Sequence, residues 1–287
     1  MPVMVELNPH YKVNGVSRPL ETLRFLKHVD EVCVVENGSL PELGIVVNER
    51  MIGLVDPYDE WDLTSAFDRW STIERIKELQ PSVIFKYQWR RGEHYPNGTI
   101  SAGLPCLKDL VPPDDLLTRH RPIDVSARMR GVGEYHWAVP KDEWMVARAH
   151  LVVQAEILAR EGFCAKRGFV AAAHYASELW DTRIGFDWRG AGYLTHRLIE
   201  YIRAGVVPIT RPMGNEFPLR EDVILEDGVH YVSCSDPGQF ANEARKLLAD
   251  SNKIERMRRN LIELWQQKLC PRAQGYWIWE KLKAALA

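Results

Sequence analysis

The chain has 287 residues, of which 46% are hydrophobic and 26% charged, and its formal net charge is −2. This composition is typical of an ordinary soluble globular protein, and the small net charge excludes a global electrostatic attraction to nucleic acid or to an anionic membrane. The length is sufficient for one large domain or for two domains of ordinary size.

The sequence shows no sign of a membrane span, a signal peptide or a disulfide framework. No apolar run approaches the roughly 20 residues that cross a bilayer, and the first residues lack a basic stretch followed by an apolar core. The five cysteines are scattered, and no two of them have C-x-x-C spacing. We therefore expect reduced thiols and a cytoplasmic protein.

In the first part of the chain, short apolar runs alternate with helical patterns, which predicts βα units and mostly parallel sheets. The predicted strands are Val3–Leu7, Glu31–Val35, Gly44–Val47, Met51–Val55 and Ser82–Tyr87. A helix is predicted after the first strand, with Ser17 as its N-cap. A second helix, Thr72–Leu79, precedes the last of these strands.

Residues 88–121 differ from the rest, since Gly and Pro are frequent and periodicity is weak. A long irregular stretch in a compact protein is usually functional or connects two domains. We place the boundary near Arg121–Pro122, which predicts an α/β domain over 1–121, a second over 122–273 and a final helix over 274–287.

The second half repeats the alternation of strands and helices. Its predicted strands are Ile123–Ala127, Phe169–Ala172, Arg183–Phe186, Val206–Thr210, Val223–Leu225 and Tyr231–Val232. Its predicted helices are Glu143–Glu161, His174–Trp180, Thr195–Arg203, Pro237–Leu248, Lys253–Leu269 and Gln274–Leu286. Two successive α/β halves indicate two doubly wound domains with a ligand between them at the carboxyl ends of the strands. One continuous α/β domain is the alternative.

The segment Ile184–Thr210 contains a strand, a glycine-rich loop, a helix, a tight turn and a second strand. Gly190 and Gly192 allow the backbone to approach a ligand closely. The helix that follows presents free N–H groups and the positive end of its dipole, which suits a phosphate. Thr195 can cap this helix or bond a phosphate oxygen, and Arg197 can add a charge-assisted contact.

Glu200 lies one helical turn beyond Arg197, so the two side chains can share a face of the helix. An acid placed just past a diphosphate can accept hydrogen bonds from ribose hydroxyls. The alternative interpretation is a glycine-rich turn before a surface helix, with Glu200 and Arg203 in solvent.

The complete segment resembles the donor half of GT-B glycosyltransferases, especially exostosin-like and related short bacterial or phage forms. Those families carry the string Gly-x-Gly-x-x-(Thr/Ser)-x-Arg-x-x-Glu-x-x-x-x-Gly-x-x-Pro-(Ile/Val). Here it is matched by Gly190, Gly192, Thr195, Arg197, Glu200, Gly205, Pro208 and Ile209. The resemblance covers residues 123–285. Gly192 stands where many retaining enzymes have a second acid, which leaves inversion and retention both open.

The resemblance implies an α/β fold with two Rossmann-like domains facing a cleft. Residues 1–121 would be the acceptor side, 122–273 the nucleotide-sugar-binding domain, and 274–287 a helix that crosses back to the first domain. The implied donor-binding residues are Arg128, Gly190, Gly192, Tyr193, Thr195, Arg197 and Glu200. For Arg128, a surface position at the end of a strand is the alternative. The implied donor is a UDP-sugar, with no metal or other cofactor, and the implied acceptor is a saccharide or another hydroxyl compound.

The candidate catalytic residues lie in the first half. Asp56 and Asp59 belong to a cluster of carboxylates after a predicted strand, where one could deprotonate an acceptor hydroxyl. Such a cluster could instead bind Mg²⁺ or Mn²⁺ in a GT-A fold, or form a solvated turn. The helix dipole and Arg197 argue against a metal, because they already neutralise a leaving diphosphate. His10, in the first loop, is a candidate acceptor contact, with a helix-capping turn as its alternative.

Residues 86–130 interleave cations with aromatic side chains, a mixture that can follow a phosphate backbone and stack on bases. Two further functions therefore stay open beside saccharide transfer. One is a DNA glycosyltransferase acting on hydroxymethylated bases, as in phage DNA modification. The other is a nucleotide-binding module without transfer activity.

Overall fold

The structure is a computed structural model of the chain. It describes residues 2–7, 25–40, 44–56, 72–86, 91–92, 94–95, 97–101, 112–129, 143–168, 170–189, 194–213 and 215–287. The chain divides into two compact units. Unit 1 contains Met1–Leu107, Asn215–Ile224 and Gln266–Ala287, and unit 2 contains Lys108–Gly214 and Leu225–Trp265. These limits are not those of the predicted domains 1–121, 122–273 and 274–287, which stay a prediction.

Unit 1 is built on one mixed sheet. Its strands are β1 (Val3–Leu7), β2 (Val32–Glu36), β3 (Gly44–Val47), β4 (Arg50–Asp56), β5 (Val83–Lys86) and β6 (Thr99–Ser101). Their order is β2-β1-β3-β4-β5-β6. The β1–β2, β4–β5 and β5–β6 pairs are parallel, whereas β3 is antiparallel to both β1 and β4. Strand β6 was not predicted, because its three residues are too few to show a period of two.

Helices cover this sheet. They are a 3₁₀ helix at Phe25–His28, α1 (Thr72–Leu79) and the last helix, which is labelled α7 below (Pro271–Leu286). Helix α7 packs against the 3₁₀ helix, β4 and β5. It buries the adjacent Ile278 and Trp279 and, one helical turn further on, Leu282, which is why the sequence predicts an amphipathic helix here.

We expect Gly275→Ala to destabilise unit 1. A Cβ at Gly275 would lie 2.1 Å from the carbonyl oxygen of Phe25, a main-chain atom that cannot turn aside. Such overpacking typically costs about 1–3 kcal/mol, which exceeds the gain in helix propensity from alanine. Urea unfolding should show this loss. The matched control is Gly238→Ala, whose Cβ would meet only the Asp236 carboxylate, at 3.2 Å. Equal stabilities of the two variants would contradict the prediction.

Unit 2 is built on a parallel sheet. Its strands are β7 (Ile123–Ala127), β8 (Ala165–Arg167), β9 (Thr182–Phe186), β10 (Val207–Thr210) and β11 (Val232–Ser233). Their order is β11-β10-β9-β7-β8, and every pair is parallel. Its α-helices are α2 (Glu143–Arg160), α3 (Ala172–Trp180), α4 (His196–Ala204), α5 (Phe240–Leu248) and α6 (Ser251–Leu264). A 3₁₀ helix, Pro237–Gln239, precedes α5, and a π-helix, Trp265–Leu269, follows α6.

Two predicted strands of this half are wrong. Ala172 begins α3, and the strand lies earlier, at β8, whose Ala-Lys-Arg sequence has no apolar signal because it is an edge strand. The predicted strand Val223–Leu225 is reduced to a single bridge between Arg220 and Val223. Strand β8 is held by its neighbour β7 rather than by a local pattern.

Helix α4 has the end signals and the apolar spacing that allowed it to be predicted from the sequence. Thr195 is its N-cap, with a side chain that accepts a hydrogen bond from the Leu198 N–H. Gly205 ends it in the left-handed conformation, with φ 62°, where glycine has no Cβ penalty. Between these ends, the apolar residues are buried against the sheet and α6. In the part of the chain that the structure describes, no helix is long and apolar enough to cross a membrane.

Candidate functional site

Charged side chains directly follow three neighbouring strands of the unit 2 sheet. Arg128 follows β7, Asp187 follows β9 and Arg211 follows β10. Because these strands are parallel, their carboxyl ends meet at one edge, which is where open α/β sheets bind ligands. The candidate site is therefore this edge, beside the N-terminus of α4.

Asp187 is at the centre of the site and is only 2% exposed. Its carboxylate accepts a hydrogen bond from the Thr195 hydroxyl at 2.8 Å and lies 3.5 Å from Nη1 of Arg197. Burial raises the pKa of Asp187, and the positive charge of Arg197 and the Thr195 hydrogen bond oppose this rise. The carboxylate therefore orients both the N-cap and the arginine.

Three guanidinium groups act on this one carboxylate. They belong to Arg197 on α4, Arg148 on α2 and Arg211 after β10. Glu200 is a second acid near Arg197. Nη1 of Arg197 is buried and makes no hydrogen bond within the described residues. The site thus places three guanidinium groups around one buried carboxylate, and this concentration of cationic hydrogen-bond donors favours an anion.

Thr195 is used inside the protein. Its hydroxyl donates to Asp187 and accepts from the Leu198 N–H at 3.0 Å. The structure therefore bears out its role as a helix cap. A contact between Thr195 and a phosphate stays a prediction.

Glu200 is buried, with 5% of its surface exposed, so the alternative that placed it in solvent is wrong. It accepts a hydrogen bond from the Tyr175 hydroxyl at 2.8 Å. Burial, then the nearby Tyr201 and Glu200, raise the pKa of Tyr175 well above its usual value. Tyr175 therefore remains a protonated donor that holds one oxygen of Glu200. The ribose contact predicted for Glu200 stays a prediction.

Arg128 has partners of its own. Its guanidinium donates two hydrogen bonds to the Glu178 carboxylate, at 2.8 and 2.7 Å, and one to the Arg167 carbonyl. Its side chain is 14% exposed. Its charge is therefore already paired with Glu178, and a contact with a donor diphosphate would require Arg128 to change partners. That predicted contact stays a prediction.

Several predicted site residues lie outside the described residues: His10, Asp59, Gly190, Gly192 and Tyr193. Asp56 ends β4, and its backbone is in register with Lys86 of β5, which is in register with Ser101 of β6. The three residues thus line one edge of the unit 1 sheet. A catalytic role for Asp56 stays a prediction.

Sequence reasoning missed the residues that complete the unit 2 site. Asp187 and Arg211 could have been predicted as site residues, since each is a charged residue directly after a strand. Arg148 and Tyr175 could not have been, because they come to the site from α2 and α3 by tertiary packing. Across the residues that the structure describes, no group of three or more His, Cys, Asp or Glu side chains could hold a metal ion.

No family model and no curated protein matches the sequence, but solved structures match the fold. The structure of HepE (Alr3699) of Anabaena in complex with UDP-glucose has a TM-score of 0.52 at 11% identity, covering 98% of this chain and 99% of that chain. TarM has a TM-score of 0.49 at 11% identity, covering 80% of this chain and 50% of that one. AviGT4, a glycosyltransferase involved in avilamycin A biosynthesis, has a TM-score of 0.47 at 15% identity, covering 97% and 81%.

The last two scores are below 0.5, so the likeness in fold rests on HepE. It extends over nearly the whole of both chains. The predicted fold class, α/β with two Rossmann-like domains as in GT-B glycosyltransferases, is confirmed.

Proposed function

We propose that this chain, which has the GT-B fold, is a glycosyltransferase that moves a sugar from a UDP-sugar to a hydroxyl group of a saccharide or another acceptor. The observation that carries the proposal is the gathering of the Arg197, Arg148 and Arg211 guanidinium groups around the buried Asp187, at the capped N-terminus of α4. A nucleotide diphosphate is an anion that such a site can bind. HepE, which shares the fold, was solved with UDP-glucose.

In the proposed reaction, the acceptor oxygen attacks the anomeric carbon of the donor sugar. The bond from that carbon to the β-phosphate oxygen breaks, and UDP leaves with the electron pair. The acceptor proton passes to a base, for which Asp56, Asp59 and His10 are the candidates. Arg197, Arg148, Arg211 and the α4 dipole would stabilise the charge that develops on the diphosphate, so that no metal is required.

The proposal gives each predicted residue a role toward the donor. Gly190 and Gly192 would allow the backbone to approach the diphosphate closely, and Tyr193 would be a further contact with the donor. Arg197 would donate to a phosphate oxygen through Nη1, which makes no hydrogen bond within the described residues, and Arg128 would be a further contact if it exchanged Glu178 for the donor. Glu200 would accept from the ribose hydroxyls. The cytoplasmic location stays a prediction.

Calorimetry tests this proposal directly. UDP and UDP-glucose are titrated into the full chain, with GDP and ADP as matched nucleotides, in buffer containing EDTA. We expect UDP to bind and to raise the melting temperature, by an amount that grows with the logarithm of the UDP concentration once this exceeds the dissociation constant. If no nucleoside diphosphate bound, the proposal would fail.

The same preparation distinguishes the alternative functions. A transferase consumes UDP-glucose when a saccharide acceptor is added, and it does so in EDTA. A nucleotide-binding module binds UDP and leaves UDP-glucose intact with every acceptor. A DNA glycosyltransferase transfers label from the donor to duplex DNA that contains hydroxymethylated bases, with binding that weakens steeply as salt rises.

We expect Tyr175→Phe to reduce the discrimination between UDP and 2′-deoxy-UDP. Tyr175 holds one oxygen of Glu200, so its loss frees the carboxylate to leave the position that meets the ribose. Wild type should prefer UDP by about tenfold, the value of one hydrogen bond to a charged group, and the variant by about threefold or less. The ratio of the two dissociation constants is the readout, because general destabilisation would weaken both ligands alike.

The matched control is Tyr276→Phe, which removes a hydroxyl that donates to Asp30 in unit 1. It should leave the ratio unchanged. If Tyr175→Phe kept the wild-type ratio of the two dissociation constants, Tyr175 would not be a residue that positions Glu200.

A further inference from the structure

Unit 1 contains a cavity of about 130 Å³ beside the edge strand β6. It is lined by Arg91, Thr99, Ile100, Ser101, Pro218 and Glu221. Main-chain hydrogen bonds hold its walls together, from Arg91 N–H to the Glu216 carbonyl at 2.8 Å and from Glu221 N–H to the Ser101 carbonyl at 3.2 Å. The cavity is therefore built from strand β6 and the segment Asn215–Ile224, which are far apart in sequence.

The size of the cavity suits one six-membered ring. An engineered cavity of about 150 Å³ in another protein takes up benzene. The space beside β6 has nearly the same volume, and it cannot hold a nucleotide. A single pyranose ring is thus the appropriate scale of ligand.

The lining is that of a site for a hydroxylated ligand. Thr99 and Ser101 contribute hydroxyl groups, and Glu221 contributes a carboxylate that can accept from a sugar hydroxyl. Ile100 and Pro218 supply apolar surface for the C–H faces of a ring.

The charge of the cavity is positive. Glu221 forms an ion pair with Lys281, so its negative charge is already balanced. The guanidinium of Arg91 is exposed, and within the described part of the chain no acidic side chain pairs with it. A planar guanidinium binds a carboxylate through two parallel hydrogen bonds. The guanidinium of Arg91 is therefore the unbalanced charge of the lining, and this is a group that favours carboxylates.

We propose that this cavity binds a six-membered sugar ring that carries a carboxylate, with Arg91 as the residue that recognises the acidic group. The inference rests on the proposed transferase function, in which this ring belongs to the acceptor. Ser101 is in register with Lys86, and Lys86 with Asp56. The cavity thus adjoins the sheet edge at which the candidate base Asp56 ends its strand.

Calorimetry on the full chain without any donor tests the inference. Glucuronic acid and glucose are the two probes, since they share a ring and differ in the carboxylate. We expect glucuronic acid to bind about tenfold more tightly than glucose at low salt, as a charge-assisted hydrogen bond predicts. Arg91→Gln should remove this preference and leave UDP binding unchanged. Arg50→Gln, which changes another exposed arginine of unit 1, should keep the preference.

Equal binding of the two sugars by wild type, or an unchanged preference in Arg91→Gln, would overturn the inference. The UDP titration separates this failure from that of the proposed function. If UDP binds and glucuronic acid does not, the cavity proposal alone is wrong. If glucuronic acid binds in the Arg91-dependent way and UDP does not, the acidic sugar site stands and the transferase function is wrong.

Discussion

Replacing Arg197 by methionine is expected to weaken UDP binding by about a hundredfold or more, the usual effect of removing a desolvated charge from an ionic contact. Arg197 is buried and lies in the first turn of α4, and its Nη1 is close to Asp187 but makes no hydrogen bond within the described residues. Isothermal calorimetry with UDP is the measurement. Arg203→Met is the matched control, because it removes the same charge from the last turn of the same helix, where the guanidinium lies over Trp265.

Arg197→Met also leaves Asp187 with less compensation, and a buried charge that loses its partner typically destabilises a protein by about 3–5 kcal/mol. A second variant separates binding from folding. In Arg197→Met/Asp187→Asn the buried carboxylate is absent, and the amide oxygen can still accept from Thr195. We expect the double variant to recover stability and not UDP binding. Wild-type affinity for UDP in the double variant would refute the role of Arg197.

The pH dependence of stability should follow from Asp187. Burial raises the pKa of Asp187 above its usual 3.8, against the opposing effect of Arg197. Between the usual and the raised pKa, the folded state holds a proton that the unfolded state has lost. This group therefore lowers stability as pH rises through that window. Without Arg197 the folded pKa rises further, so the melting temperature of Arg197→Met should fall more with pH than that of wild type. The double variant should lack this extra fall, and an identical fall in both variants would contradict the account.

Arg121→Met is expected to cost unit 2 about 3 kcal/mol or more, as removal of a buried hydrogen-bonded charge does. Arg121 is 6% exposed and donates to three carbonyls, those of Thr182, Ala204 and Gly205, at 2.7, 2.6 and 3.1 Å. Two of these carbonyls lie at the C-terminus of α4, where carbonyls lack helical partners. Methionine fills much of the space but leaves all three without their donor.

Burial, and after it the charge of Arg258, lowers the pKa of Arg121 to about 9, so the side chain is still a cation at neutral pH. Urea unfolding followed by tryptophan fluorescence measures the loss. Arg119→Met is the control, since Arg119 forms only ion pairs with Asp115 and Asp181 near the surface, and such pairs contribute little. If the two variants unfolded at the same urea concentration, the buried hydrogen bonds of Arg121 would not stabilise unit 2.

The sequence determined the parts of the site that local interactions specify. Helix α4 has an N-cap at Thr195, buried residues at helical spacing and a left-handed Gly205, all within one short stretch of chain. In the strands on either side, residues 184–186 of β9 and all four residues of β10 are buried, because a parallel sheet buries both faces. The order strand, loop, helix, strand could therefore be predicted, and with it the fold class.

Tertiary structure alone decided which charges meet. Arg148 reaches Asp187 from 39 residues earlier in the chain, and Tyr175 reaches Glu200 from a different helix. Such pairings depend on how helices pack on a sheet, which no local pattern encodes. The short edge strands β6 and β8 are likewise held by one neighbouring strand each. The sequence thus predicted α4 and the loop before it as a donor-binding segment, and packing supplied the buried acid and the guanidinium groups beside α4 that favour an anion.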